Sequence, residues 1–371
     1  MHLTAQVGTL TPLLKRALAC TKETTPHAVL RHILVHADEH GLTLRGTDLD
    51  VTTEIRAAGI VGELDILVPP SLVKLLEALK KDAEVTLTQS GVRLSVKAGE
   101  FKARITCLET REFPVRPEAT AGEIINLPFG VLKRMVAAVE FCSSKKYALD
   151  YTTTLLFKRS NGVAELFGSN GSRIGTISVP CAGPDADVIL PLRLATEAVA
   201  VDAPDDADVA LSLGERHVLC GIGPAVTIWC VKHDIAWPSL ARVMGTKATR
   251  CTVDREVLAE ASKRIGSVFA VEHKGDNGKS YTRAMTLEFT RDGLALSSDE
   301  TEFGSASETI VAEREGPEGS GRVPALQIHA ACVAIDSERV IVSTDGRMVV
   351  VQPEKLVEGV LGQMLVSACL K

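Results

Sequence analysis

His27, His32 and His36 fall close to Asp38, and a histidine beside a carboxylate is the pairing that general acid–base catalysis uses. Nine cysteines are the other reactive side chains. Neither set is arranged for chemistry. His32 and His36 alternate with Ile33 and Val35, a period of two that turns them to the solvent side of a strand. The cysteines are odd in number, form no C-x-x-C pair and never fall with histidine at zinc-ligand spacing. Cys20, Cys142 and Cys332 sit in helical segments, where cysteine is mostly a small buried packing residue. Gly221-Ile222-Gly223 is a bare glycine pair on a strand, and no G-x-S-x-G, H-E-x-x-H or G-x-x-x-x-G-K-[ST] occurs. The chain reads as non-catalytic, with no metal and no cofactor.

The elements that would carry any other function form a repeat. A proline opens a short apolar helix at Pro69, Pro191 and Pro324, with separations of 122 and 133 residues. A strand–turn–strand follows each helix, with turn glycines Gly91, Gly214 and Gly346 spaced 123 and 132 apart. Earlier in each unit a strand runs into a small polar corner: 42–48, 164–170 and 294–300. Its leucines Leu44, Leu166 and Leu296 are spaced 122 and 130 apart. Upstream of each strand lies an amphipathic helix, around Leu10–Leu18, Leu132–Val139 and Val257–Ile265. Such units are long enough to bury their own cores. Phe113-Pro114-Val115-Arg116-Pro117 and Trp237-Pro238 mark the junctions. The expected organisation is three tandem domains of like fold, 1–120, 121–246 and 247–371. Strand segments alternate between apolar and polar residues, so the class is α+β, with helices on one face of antiparallel sheets.

Composition restricts the partners. The 371 residues carry a net charge of −6, 45% hydrophobic side chains and only 4% aromatics, too few for an aromatic platform that stacks unpaired bases. Positive charge is segregated. The segments 10–19, 71–81, 129–139, 191–200, 254–265 and 324–335 hold eleven basic and five acidic residues, +6, which leaves −12 for the rest. Helices on one side of the sheets would form a cationic surface that attracts phosphate without reading bases, opposite an acidic surface. There is no signal-peptide h-region and no apolar run of membrane-spanning length. With unpaired thiols this points to a cytoplasmic protein that does not enter a membrane.

Together these stretches resemble the beta subunit of bacterial DNA polymerase III, the DNA sliding clamp family. The resemblance is carried, in order, by 41–55, VPPSLVKLLEAL (68–79), FGSNGSRIGTISVP (167–180), VILPLRLATEAV (188–199), IAWPSLARVMG (235–245), CTVDREVLAEASKRI (251–265) and VIVSTDGRMVVVQP (340–353). It implies a DNA-clamp fold of three like domains. Two such chains would close head to tail into a homodimeric ring, helices inward around duplex DNA, without sequence preference. A non-catalytic processivity factor would result, opened by a clamp loader. The polymerase III alpha subunit and repair polymerases would dock through short linear peptides.

The resemblance also implies sites. A partner-peptide pocket would comprise Thr152, Ser169, Gly171, Ser172, Arg173 and Ile174, then Pro238, Arg242 and Val243, then Val349 and the stretch Met364, Leu365, Val366, Ser367, Ala368, Cys369 and Leu370. Ile174, Pro238, Val243, Val349 and Met364 would supply apolar walls. DNA would meet Lys22, Lys145, Lys146, Tyr147, Tyr151 and Arg193. The chain departs from the family at its tail, where Val366-Ser367-Ala368-Cys369 replaces Met-Pro-Met-Arg, at the corner Ser169-Asn170-Gly171-Ser172, and at polar Thr152. Partners that have changed with it, or a second clamp borne by a plasmid or phage, would account for those departures. An enzyme and a ring-like structural protein that does not act on DNA are the other classes weighed.

Overall fold

The computed structural model describes residues 1–22, 24–115, 122–144, 150–239, 247–269, 273–274, 280–281, 284–300 and 304–370. One element order runs through it three times. The first pass comprises β1 (His2–Gln6), α1 (Val7–Ala19), β2 (Ile33–Asp38), β3 (Gly41–Thr47), β4 (Val51–Ala57), β5 (Leu64–Val68), α2 (Pro70–Glu77), β6 (Glu84–Ser90), β7 (Arg93–Ala98) and β8 (Phe101–Thr106). The second comprises β9 (Glu123–Pro128), α3 (Phe129–Val139), β10 (Thr154–Ser160), β11 (Val163–Ser169), β12 (Arg173–Pro180), β13 (Ala186–Pro191), α4 (Leu192–Val199), β14 (Asp208–Leu213), β15 (His217–Ile222) and β16 (Val226–Val231). The third begins with β17 (Thr249–Asp254) and α5 (Arg255–Phe269), then the two-residue strands β18 (His273–Lys274) and β19 (Ser280–Tyr281). It continues through β20 (Ala284–Phe289), β21 (Leu294–Ser298), β22 (Ser307–Ile310), β23 (Ala312–Glu315), β24 (Gly319–Pro324), α6 (Ala325–Ala334), β25 (Arg339–Thr344), β26 (Met348–Pro353) and β27 (Gly362–Ala368).

Each expected helix is present. The structure adds a strand before each opening helix, β1, β9 and β17, which pairs antiparallel with β6, β14 and β25 respectively. These strands run straight into their helices with no turn residue between, so the change from period two to period 3.6 is masked.

The chain divides into two compact units. Unit 1 holds residues 1–132 and 193–233. It contains a four-stranded sheet, β1-β6-β7-β8, and an eight-stranded sheet, β5-β2-β3-β4-β16-β15-β14-β9. Leu10, Leu14 and Ala17 of α1 and Leu72 and Leu76 of α2 share one core with Leu44, Ile55, Leu87 and Leu94 of the strands. Each such side chain contributes about 1.5–3 kcal/mol when fully buried. The helix sits close to the sheet because β3 carries Gly46, where an added Cβ would lie 1.8 Å from the Ala17 carbonyl oxygen. Unit 2 holds 133–192 and 234–371. Its nine-stranded sheet runs β13-β10-β11-β12-β27-β26-β25-β17-β23, beside a four-stranded sheet β22-β21-β20-β24 and the β18-β19 pair. Gly168 of β11 repeats the role of Gly46: a Cβ there would lie 2.5 Å from the Val139 carbonyl oxygen.

The long sheets are built across repeats. In unit 1, β4 of the first pass pairs with β16 of the second, Ile55 opposite Val226 and Thr52 opposite Trp229. In unit 2, β12 pairs with β27 of the third pass, Ile174 opposite Val366. The compact units therefore do not coincide with the sequence repeats.

Candidate functional site

The polar corner between β11 and β12 is a local consequence of Ser169-Asn170-Gly171-Ser172. Ser169 Oγ donates to the Arg173 carbonyl at 2.9 Å and accepts from Gly171 N at 3.1 Å. Asn170 Oδ1 accepts from Ser172 N at 3.1 Å and Arg173 N at 3.0 Å. Such Asx geometry fixes a tight turn, and Gly171 supplies the φ of +88° that the turn requires. The same corner recurs at Thr344-Asp345-Gly346, where Asp345 Oδ1 takes the N–H groups of Arg347 and Met348, each at 2.9 Å. Partial burial alone raises the Asp345 pKa. Those two N–H groups and the Lys247 ammonium, 3.6 Å away, outweigh it and hold the carboxyl below its ordinary value.

Alternation along β12, β27 and β26 sorts the expected pocket residues onto two faces. Leu365 and Val349 belong to the core of unit 2, and Val349 is fully buried there. Ser367, opposite Val349, donates to Gln327 Oε1 of α6 at 2.7 Å. These three lie on the helix side, which corrects the expectation that Val349 walls a surface groove and puts Leu365, expected in the pocket, in the core. Strand parity gives the opposite face to Ile174, Met364 and Val366, and to Val350, which the sequence reading did not single out. A groove of about 410 Å³ continues this face past Thr176 and Met364, lined also by Ile341, Gln352 and Leu356. The tail is pinned beyond its strand. The N–H groups of Ala368, Cys369 and Leu370 donate at 2.8 Å to the carbonyls of Ser172, Arg347 and Arg322.

Residues before and after the second junction anchor to the same sheet. Trp237 Nε1 donates to Thr154 Oγ1 at 3.1 Å, and its ring meets that of Tyr151 edge-on, 5.8 Å between centroids. Lys247 N donates to Ser343 Oγ at 3.1 Å. Pro238 is exposed beside Trp237, and Thr152 is wholly buried in the turn before β10. Arg242 and Val243 lie outside the described residues. Arg173 is half-buried with its guanidinium over the Phe141 ring at 5.9 Å. Desolvation lowers its pKa, and no carboxylate pairs with it among the described residues. Trp237, Phe141 and Gln327 are site neighbours that sequence reasoning missed. Only the Trp237-Pro238 junction hinted at the first.

Unit 1 has the same strand order but a different filling. Thr47 opposite Thr52 corresponds to Ser169 opposite Ile174, and Trp229 stands opposite Thr52 where Val366 stands opposite Ile174. One rung on, buried Glu54 replaces Thr176. Arg45 Nη2 donates to its Oε2 at 2.6 Å and Arg56 Nη2 to its Oε1 at 3.0 Å. Arg45 also lies over the Trp229 ring at 5.7 Å. That face is filled by an ion cluster.

The residues expected to meet DNA fall in different places. Lys22 is exposed just past α1. Arg193 pairs with the Asp48 carboxylate and donates to the Ala19 carbonyl at 2.7 Å, where a cation suits the end of α1. Tyr151 packs on Trp237, and Lys145, Lys146 and Tyr147 lie outside the described residues. The helix boundaries trim the charge contrast. Lys80 and Lys81 follow α2 and Asp254 precedes α5, so the six helices hold nine basic and four acidic residues, +5. Several of these cations are paired: Lys15 with Glu77 at 2.6 Å, Arg16 with Glu197 at 3.2 Å and Arg264 with Glu308 at 2.7 Å.

Among the described residues no group of three or more His, Cys, Asp or Glu is placed to hold a metal ion, and no helix is long and apolar enough to cross a membrane. Residues 1–117 match the family described as DNA polymerase III beta subunit, N-terminal domain. Over 325 residues, 85% of each chain, the sequence is 23% identical to the beta sliding clamp of Pseudomonas aeruginosa and 24% identical to that of Pseudomonas putida. Among solved structures, the P. aeruginosa DNA polymerase III beta subunit bound to griselimycin superimposes with a TM-score of 0.88 at 20% identity, covering 100% of this chain and 99% of that one. The Bacillus subtilis DNA polymerase sliding clamp superimposes at 0.87 with 17% identity, over 100% and 99% of the two chains.

Proposed function

This chain is a divergent member of the beta sliding clamp family, and from that premise we propose that it encircles duplex DNA as a head-to-tail homodimer and tethers a DNA polymerase to it. The observation that carries this reading is the threefold recurrence of one helix-and-sheet order across the chain, an arrangement suited to a closed ring of like domains. DNA, a polymerase and a second copy of the chain are the general partners. The domains are 1–120, 121–246 and 247–371, each one pass of the repeat. The cytoplasm is the compartment this function requires.

The finer assignments follow from the site. Ile174 and Met364, set over buried Val366 and Val350 and flanked by Trp237 and Pro238, suit the apolar side chains of a short linear peptide. Arg173, opposite Ser367 on the helix side and over Phe141, would border the groove rather than line it. The polymerase III alpha subunit, the clamp loader and repair polymerases are the proposed owners of such peptides. Polar Thr152, Ser172 and the Val366–Cys369 tail imply a peptide preference different from that of relatives with an M-P-M-R tail. Lys22, Lys145, Lys146, Tyr147, Tyr151 and Arg193 are the proposed DNA contacts.

Two measurements test this. Protein loaded on nicked circular duplex should stay bound through gel filtration and be lost when the circle is linearised; equal loss from both would sink the clamp reading. Trp237→Ala should weaken binding of the polymerase alpha subunit at least tenfold while leaving retention on the circle intact. Unchanged polymerase binding would remove the site assignment alone.

A further inference from the structure

Resting on the peptide-site reading above, we propose that the partner peptide carries a lysine or arginine just beyond its apolar residues, and that Glu165 receives this cation in the groove leading away from Met364. The outward rungs of β12 and β27 run from Ile174 and Val366, through Thr176 and Met364, to Ser178 and Gly362. Glu165 of β11 stands opposite Ser178 and so joins the last of these rungs. Alternation turns it outward, because its neighbours Ala164 and Leu166 are buried. At a strand rise of about 3.3 Å per residue, each rung lies about 6.7 Å from the next. An extended peptide with an apolar side chain over Met364 therefore reaches the Glu165 rung with its second residue onward.

Charge complementarity identifies the occupant. The lining of the groove includes two carboxylates, Glu165 and Glu354, and no lysine, arginine or histidine. Cations nearby are committed elsewhere. Lys158 stands directly opposite Glu165, yet its ammonium pairs with Asp187 at 2.9 Å. Arg339 pairs with Glu313 at 2.7 Å and with Glu354 at 3.6 Å. Lys355 is exposed in the loop after Glu354 and does not line the groove. Glu354 is thus partly neutralised, whereas half-buried Glu165 has no ion pair among the described residues. A partly desolvated carboxylate without a partner gains from an incoming cation. Ile341, Met364 and Leu356 offer apolar surface along which the methylene stem of a lysine or arginine would lie, its charged head at the carboxylate. Gly362 keeps the floor open, since a Cβ there would lie 2.8 Å from Ser178 Oγ. The described residues place no group of three or more His, Cys, Asp or Glu to hold a metal ion, which favours an organic cation tethered to the peptide. The corresponding rung of unit 1 has Thr43 opposite Arg56, so the repeat does not need a carboxylate at this position to fold.

The test is fluorescence anisotropy of the full-length protein with labelled peptides copied from the clamp-binding segment of the polymerase alpha subunit. Each peptide carries Lys, Gln or Glu at the second residue beyond the apolar residues, at one end or the other. At low salt and at one of the two ends, the Lys peptide should bind about fivefold tighter than the Gln peptide, the upper range for one solvent-accessible ion pair. The Glu peptide should bind more weakly than the Gln peptide. High salt should shrink these differences. E165Q should bind the Lys and Gln peptides alike, and E165K should reverse the order of the charges. Glutamine keeps the shape of the side chain at an outward strand position, so E165Q should keep the parent's melting temperature. Two results would overturn the proposal: a parent that does not distinguish the three charges at either end, or a folded E165Q that keeps the parent's order. A parent that binds none of the peptides would overturn the peptide-site reading and this one with it, so the two failures are distinguishable.

Discussion

At the residue scale, the cysteines show how burial decides chemistry. Eight of the nine are buried, and desolvation raises their thiol pKa values. Cys20 and Cys107 are pushed up to about 11, and Cys142, Cys220, Cys230, Cys251 and Cys332 to about 12. A thiol that stays protonated in the fold but ionises when unfolded stabilises the protein fully below the unfolded value near 9. That stabilisation is lost as pH rises toward 11–12, by up to about 1.4 kcal/mol per pH unit per thiol. Chemical denaturation should therefore show stability falling steeply above pH 9, and replacing Cys142 or Cys332 with Ala should flatten that fall. Leu49 offers a second check. It occupies the φ > 0 position of the Thr47-Asp48-Leu49 corner at +82°, 57% exposed, where the two related corners use Gly171 and Gly346. A bulky side chain costs about 1–2 kcal/mol in that conformation. Leu49→Gly should raise the melting temperature by relieving this, less the greater chain entropy that glycine brings to the unfolded state.

At the element scale, the contrast between the two long sheets matters most. Both use one strand order, yet the rungs beside the β4–β16 join hold Arg45, Glu54, Arg56 and Trp229, and those beside the β12–β27 join hold Phe167, Thr176, Ser178 and Val366. A 2%-exposed carboxylate held by two guanidiniums does not tolerate loss of its charge. Removing one partner of a buried cluster typically costs about 3–5 kcal/mol, and the lower end applies because Arg56 is solvated. Denaturant titration of Glu54→Gln should show that loss in unit 1, while polymerase binding, assigned to unit 2, is retained. If Glu54→Gln instead abolished polymerase binding with the fold intact, the assignment of one functional face would be wrong.

At the scale of the whole molecule, the ring reading predicts a particle of twice 39.6 kDa with an empty centre. Small-angle scattering at high concentration should give that mass and a hollow pair-distance distribution; a filled or monomeric particle would count against closure. Loss of Lys145 and Lys146 together should lower DNA affinity equally for all sequences and flatten the salt slope by about two ions. An unchanged slope would remove both from the DNA surface.

The periodicities along the chain determined the helices, most of the strands, the threefold repeat and the absence of a catalytic motif, because each is written in neighbouring residues. His36 is exposed on β2, as its alternation with Val35 implies. The β11–β12 corner was legible from Ser169-Asn170-Gly171 for the same reason: short polar side chains and glycine close a turn through bonds only two to four residues long. Other features depended on contacts between residues far apart in sequence. Strand parity, set by the β26–β27 register, sent Val349 to the core and left Val350 on the candidate face. The proximity of Asp48 to Arg193, 145 residues away, paired a cation that the sequence offered to DNA. Long-range pairing joined strands of different repeats, so the compact units cut across the repeat. Local propensity is a property of a stretch of chain, whereas register, side-chain pairing and the choice of exposed face are settled only when distant strands compete for one core.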